Sequence, residues 1–173
     1  MSKVFVWSDP HFFHKNIIDF CDRPWSSVDA MNQGLIDNHN SVVSDDDTVI
    51  CNGDFMFSKN DGGIFNALKG KKILVRGNHD HSATTSLGWQ SVHEVLDFKH
   101  NGKNVVMFHY PIESWNRKFH GSIHLFGHVH DQVMPNIQNR FDICVEKTEY
   151  KPVNLSYFTD LVEHKDYKRQ FNT

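Results

Sequence analysis

The chain has 173 residues, the size of one domain and thin for two. At 39% hydrophobic and 23% charged residues it holds too much apolar material for a disordered chain, and no apolar run reaches membrane-spanning length. Eighteen Lys+Arg against twenty-one Asp+Glu leave a charge of −3, which argues against binding nucleic acid by bulk charge alone and leaves only a local basic patch open.

Val4 to Trp7 reads as a short buried strand ending at Ser8-Asp9-Pro10-His11. Its start at Lys3 leaves no room for a signal peptide. Asn16 to Arg23 reads as a helix closed by the Arg23-Pro24 break. Val28 to Val43 carries apolar residues at helical spacing behind Ser26 or Ser27 as cap. Thr48 to Cys51 is a second strand, stopping at Asn52-Gly53-Asp54. Ile64 to Leu68 is a brief helix ended by Gly70, and Lys72 to Val75 a third strand before Arg76-Gly77-Asn78-His79-Asp80. Val92 to Phe98, Asn104 to His109, Ile123 to Phe126 and Phe141 to Val145 follow as strands, and Leu155 to His164 as a closing helix. Helix and strand alternate in the front half, so the expectation is one α/β domain over residues 1–173 with parallel βαβ units.

Histidine is the anomaly, with thirteen against eight leucines. The polar signals gather at strand ends: Asp9 and His11, Asp54, Asn78 and His79, His109, then His128 and His130. In open α/β sheets that is where ligands bind. The i, i+2 pairs Asp9/His11 and His128/His130 converge if the backbone is extended. Gly53, Gly77 and Gly127 precede the signals, as sharp turns beneath a site require. Mixed oxygen and imidazole donors suit Mn, Zn, Fe or Ni rather than Ca. Seven candidates (Asp9, His11, Asp54, Asn78, His109, His128, His130) are too many for one four-coordinate ion and suit two divalent ions with a bridging carboxylate. The cysteines, Cys21, Cys51 and Cys144, are odd in number, widely spaced and without a CxxC pair, which fits reduced thiols in the cytoplasm.

These blocks resemble the calcineurin-like metallophosphoesterases, whose motif runs D-x-H, G-D, G-N-H-D/E, an isolated H and G-H-x-H. Here they are Asp9-Pro10-His11, Gly53-Asp54, Gly77-Asn78-His79-Asp80, His109 and Gly127-His128-Val129-His130, in that order over residues 3 to 145. The stretch Trp7 to Pro24, with His14, Asn16-Ile17-Ile18 and Arg23-Pro24, is similar to that of small bacterial and phage members. The resemblance implies a four-layer αββα sandwich of mixed sheets with a dimetal site at the strand C-termini. Asp9, His11 and His130 would hold one ion, Asn78, His109 and His128 the other, and Asp54 would bridge. His79 would lie beside the leaving-group oxygen as general acid, with Asp80 orienting or charging its ring. His14 and Asn78 are candidates to touch substrate.

Two ions lower the pKa of a shared water toward about 7 and grip the phosphoryl oxygens. With two carboxylates and a hydroxide, the site keeps roughly one positive charge and attracts an anion. The expected activity is hydrolysis of phosphodiesters of small or nucleotide type by a metal-bridging hydroxide. Phosphomonoesterase (nucleotide phosphatase), nuclease and non-catalytic metal-binding scaffold are the alternatives. The GD block continues as Phe55-Met56-Phe57 and not as the protein phosphatases' GDxxDRG. The chain is also short for the accessory domain of the repair nucleases. Nucleic acid is not favoured as partner, no membrane is implied, and the chain is expected as monomer or homodimer. With no GxSxG, GxxxxGK[ST] or HExxH, serine-hydrolase, P-loop and zincin chemistry have no support.

Overall fold

A computed structural model describes residues 2–162. Its first sheet runs β4-β3-β2-β1-β9. Its strands are β1 (Val4–Trp7), β2 (Thr48–Cys51), β3 (Lys71–Val75), β4 (Ser91–His93) and β9 (Val153–Asn154). The second sheet runs β5-β6-β7-β8, made of β5 (Leu96–His100), β6 (Lys103–Met107), β7 (Ile123–Phe126) and β8 (Arg140–Asp142). β1 to β4 pair in parallel and so do β6 to β8, while β9 and β5 are antiparallel edges. The architecture is the expected sandwich of two mixed sheets.

Period-two alternation sorts the side chains between two cores. Phe5, Trp7, Val49, Cys51 and Leu74 face α1 (Asn16–Phe20), α2 (Val28–Val42), α3 (Ile64–Ala67) and α4 (Ser82–Thr85). Val6, Ile50 and Val75 face the other sheet, meeting Val105, Met107, Ile123 and Leu125. Leu155 and Phe158 of α5 (Leu155–Asp160) close that inner core. The outer face of the second sheet, with Val106, His124 and Phe126, is covered by the 109–122 segment, where Trp115 packs on His124. That fourth layer is thin, its regular turn being the 3₁₀ helix Lys118–His120.

The parallel registers bring the strand ends level, Trp7 opposite Cys51, Cys51 opposite Leu74 and Met107 opposite Leu125. A bridge between Ser8 and Cys144, with Val145 N donating to Ser8 O at 3.0 Å, ties the sheets together at that end. Ser27 caps α2 by accepting from Ala30 N.

Several boundaries differ from expectation. Val92 to Phe98 is two strands in different sheets, the chain crossing at Glu94 and Val95. The strand expected to reach His109 stops at Met107 and leaves His109 in a loop. Phe141 to Val145 is strand only to Asp142, and a 3₁₀ turn, Val145–Lys147, follows. The closing helix ends at Asp160, and its expected last residues, 163 and 164, lie outside the described residues. Among the described residues no helix is long and apolar enough to cross a membrane.

Candidate metal centre

Each motif block follows a strand end, and hydrogen bonds lace the blocks together. Asp9 N donates to Gly53 O at 3.0 Å and His11 N to Asp54 O at 3.1 Å. Asp9, His11, Asp54, His128 and His130 all have positive φ, between 52° and 73°. The i, i+2 pairs therefore converge from left-handed backbone rather than the expected extended one. Such conformations cost about 1–3 kcal/mol each and persist where the surroundings impose them, typically at functional sites. The glycines answer to crowding more than to turning. Only Gly53 among the three has positive φ. A Cβ on Gly77 would overlap the Asp54 carboxylate, and one on Gly127 would overlap Ser8 and the Asp9 carboxylate.

The seven ligand candidates meet in two sets. Asp9 Oδ1 lies 3.7 Å from His11 Nε2 and 3.8 Å from His130 Nε2. Asp54 Oδ2 lies 3.4 Å from His109 Nε2, with the His128 ring 5.2 Å from that of His109 and Asn78 Oδ1 3.1 Å from its Nε2. The same Asp54 oxygen is 3.6 Å from His11 Nε2, so one carboxylate oxygen faces both sets.

The donors fit divalent ions. Ligand atoms about 2.0–2.2 Å from a tetrahedral ion stand roughly 3.4 Å apart. The carboxylate-to-ring separations, 3.4 to 3.8 Å, match that spacing and are long for hydrogen bonds. Asp9 Oδ1 and His11 Nε2 are buried with no hydrogen-bond partner, a cost that an ion between them removes.

The outer layer contains residues that the motif did not mark. His109 Nδ1 donates to Asn52 O at 2.8 Å, which points Nε2 inward at the Asp54 carboxylate. His130 Nδ1 meets Glu146 Oε1 at 3.2 Å, and Glu146 is held by Arg23 at 2.6 Å. Arg23 is fully buried, and its guanidinium also donates to Asp9 O at 2.8 Å and Pro10 O at 2.7 Å. Arg23-Pro24 was visible in the similar stretch without a role, and Glu146 carried no signal. Asp80 departs from expectation. Its carboxylate accepts from the backbone N–H of Asp54, Phe55 and Gly77 at 2.8, 3.0 and 2.9 Å. It braces the Asp54 turn in place of the expected contact with the His79 ring.

His79 stands beside the sets, its ring 5.6 Å from that of His11 and its N–H donating to Asp54 Oδ1 at 2.9 Å. His14 sits at the rim with Nδ1 3.2 Å from His11 Nδ1, its ring stacked on Phe57 at 4.3 Å.

Burial opposes charge on Asp9, but the neighbouring imidazoles of His11, His109 and His130 outweigh burial and hold the carboxyl well below the usual range. Burial likewise opposes the charge on His109, yet Asp54 and Asp9 raise it to about 9. His130 rises to about 10 against its burial, through Cys21, Glu146 and Asp9. Burial, reinforced by neighbouring positive charge, pushes His14 down to about 4, and burial does the same to His39. The signs give a peaked stability profile for metal-stripped protein. His14 and His39 protonate on unfolding below about 6.5 and make stability climb from pH 4 to 6.5, while Asp142, pushed up to about 6 by burial, offsets part of that climb up to pH 6. His109 and His130 hold extra protons when folded, so their contribution is full below about 6.5 and fades as pH rises through 9 to 10. Thermal melts across pH 4–10 check this, and a curve still rising above pH 7 contradicts it. With saturating Mn²⁺ the descending limb is expected to flatten, because the ions replace those protons.

No family model matches the chain. It is 34% identical over 182 aligned positions to the uncharacterized protein MJ1445 of Methanocaldococcus jannaschii, covering 99% of this chain and 98% of that one. The protein of unknown function AQ665 from Aquifex aeolicus superposes with a TM-score of 0.73 at 22% identity, over 94% of this chain and all of that one. A fainter likeness, TM-score 0.47 at 16% identity over 82% of each chain, is to an archaeal phosphodiesterase. With level strand ends, five motif blocks in one crevice and end-to-end similarity to MJ1445, the chain belongs to the MJ1445 family and shares the two-sheet fold of AQ665.

Proposed function

We propose that the chain is a hydrolase of phosphoesters, acting on phosphodiesters of small or nucleotide type with two divalent ions. The observation that carries this reading is the Asp54 oxygen facing both donor sets, 3.4 Å from one imidazole and 3.6 Å from the other. Asp9, His11 and His130 would hold one ion, and His109, His128 and Asn78 the other. When bound, such ions supply positive charge to phosphoryl oxygens and lower the pKa of water between them.

The chain's own groups do the rest. Left-handed backbone at Asp9, His11 and Asp54 fixes the donors before substrate arrives, so little reorganisation is left to the reaction. The Asn78 amide, exposed at the mouth, turns toward the second set and can meet a phosphoryl oxygen there. His79, tied by its backbone to the shared carboxylate, presents a half-exposed ring at the edge of the first set. Its proton goes to the departing oxygen, and Asp54, whose Oδ1 accepts from His79 N, holds that ring in register with the donors.

The test is metal counting and a substrate panel. Reconstituted protein is expected to hold two Mn²⁺ or Zn²⁺ per chain and to cleave bis-(4-nitrophenyl) phosphate faster than 4-nitrophenyl phosphate. A monoester preference would reassign it as a phosphomonoesterase, and two bound ions with no turnover would favour the scaffold. General-acid catalysis contributes about 10²–10⁴-fold. His79→Ala is therefore expected to slow an alkyl diester about 100-fold or more, but a 4-nitrophenyl diester under about 5-fold. Equal losses on both would remove His79 as the acid.

A further inference from the structure

We infer that the cleft running outward from His79 receives a nucleoside leaving group, an assignment that rests on the phosphodiesterase reading. The cleft has a volume of about 760 Å³, lies between the Met56–Lys59 segment and α4, and has His79 in its wall. A group leaving phosphorus toward His79 enters it directly. The volume is far beyond what a methyl or glycerol group fills and falls in the range, about 300–1,000 Å³, of pockets that enclose drug-sized ligands.

The walls indicate the chemistry. Phe57 lines the cleft and is half exposed, at 50%. One of its faces is occupied by His14 at 4.3 Å and 14°, and it meets His79 edge-on at 5.2 Å. The ring is thus held rigid at the mouth, a platform for a flat heterocycle. Ser82, Ser86 and His81 also line the cleft with groups that suit sugar hydroxyls, Ser86 Oγ as acceptor because its proton goes to Ser82 O at 2.7 Å. In the reaction, water oxygen bonds to phosphorus, losing a proton to solvent, and the bond from phosphorus to the nucleoside oxygen breaks with its electron pair staying on that oxygen. That oxygen takes the proton from His79, giving a nucleoside and a phosphomonoester.

The test compares two diesters with alkoxide leaving groups, thymidylyl-thymidine and glycerophosphoethanolamine, on Mn²⁺-loaded protein. The kcat/KM for thymidylyl-thymidine is expected to exceed the other at least 100-fold. Phe57→Ala should cut it 10-fold or more, chiefly through KM and with kcat changed far less. Calorimetry supplies a readout apart from turnover: thymidine alone should bind the loaded protein, and Ser82→Trp, which fills the cleft, should abolish that binding while metal content and melting temperature stay those of the parent. Equal kcat/KM for the two diesters, or thymidine binding indifferent to both substitutions, would overturn the assignment. Cleavage of bis-(4-nitrophenyl) phosphate separates the levels. If it proceeds and thymidine does not bind, the cleft assignment alone falls. If neither it nor any other diester in the panel is cleaved, the phosphodiesterase reading falls, and this inference with it.

Discussion

Arg23→Lys is expected to lower the melting temperature by about 10 °C and activity by about 100-fold, although Arg23 touches no ligand atom. The guanidinium is fully buried and donates in three directions, to Asp9 O at 2.8 Å, to Pro10 O at 2.7 Å and to Glu146 Oε1 at 2.6 and 2.9 Å. Lysine brings a single ammonium on a flexible stem and cannot reproduce the planar fork. At least one carbonyl or the Glu146 carboxylate is then left buried and unpartnered, and breaking such a pair costs about 3–5 kcal/mol. The loss falls where it matters. Asp9 and His11 sit in left-handed backbone at the segment that Arg23 clamps, and Glu146 sets the His130 ring through Nδ1. Glu146→Gln keeps the shape and one acceptor, so its fold should survive, with metal affinity down about 10–100-fold as for other lost outer-layer partners. Calorimetric melts and Mn²⁺ titrations check both variants. An Arg23→Lys protein melting within 2 °C of the parent at unchanged activity would show that the clamp is ornamental.

The site's inner layer was legible because it is local in sequence. Each ligand lies within four residues of a strand end, and glycine or proline marks most of the turns. The strands of the first sheet were legible for a related reason, since Val4 to Trp7 and Thr48 to Cys51 are apolar on both faces and bounded by polar turns. Elements set by tertiary contact were not. β9 is two residues long and exists because it pairs with Phe5 and Val6, and α4 is one turn that buries its own Thr84. The break inside Val92 to Phe98 carries no glycine or proline, and only the separation of the two sheets reveals it. The outer layer was illegible for the same reason. Glu146 meets Arg23 across 123 positions, and neither sits in a spacing pattern that could announce the other. Asp80 was seen in the motif, but its carboxylate is spent on three backbone N–H groups that no sequence pattern displays.

Asp54→Asn separates the scaffold from the chemistry, because the substitution keeps the shape of the turn and changes one atom. The backbone ties remain: Asp54 N still donates to Asp80, and His11 N still donates to Asp54 O. An amide oxygen in the Oδ1 position still accepts from His79 N. At the Oδ2 position the amide then presents N–H donors to His11 Nε2 and His109 Nε2, where a carboxylate oxygen faced both. An N–H donor cannot coordinate a cation, and the negative charge shared by the two sets is gone. Metal content is expected to fall from two ions per chain to one at most. Losing even 4 kcal/mol of charge stabilisation corresponds to about 10³-fold in rate. The metal-free variant should melt within a few degrees of the parent, whereas the upward shift that saturating Mn²⁺ gives the parent should shrink or vanish. Elemental counting, melts with and without Mn²⁺, and turnover of bis-(4-nitrophenyl) phosphate read all three. A variant that still carries two ions and keeps its rate within tenfold would mean that Asp54 is not the shared ligand, and the two donor sets would have to be explained as independent sites.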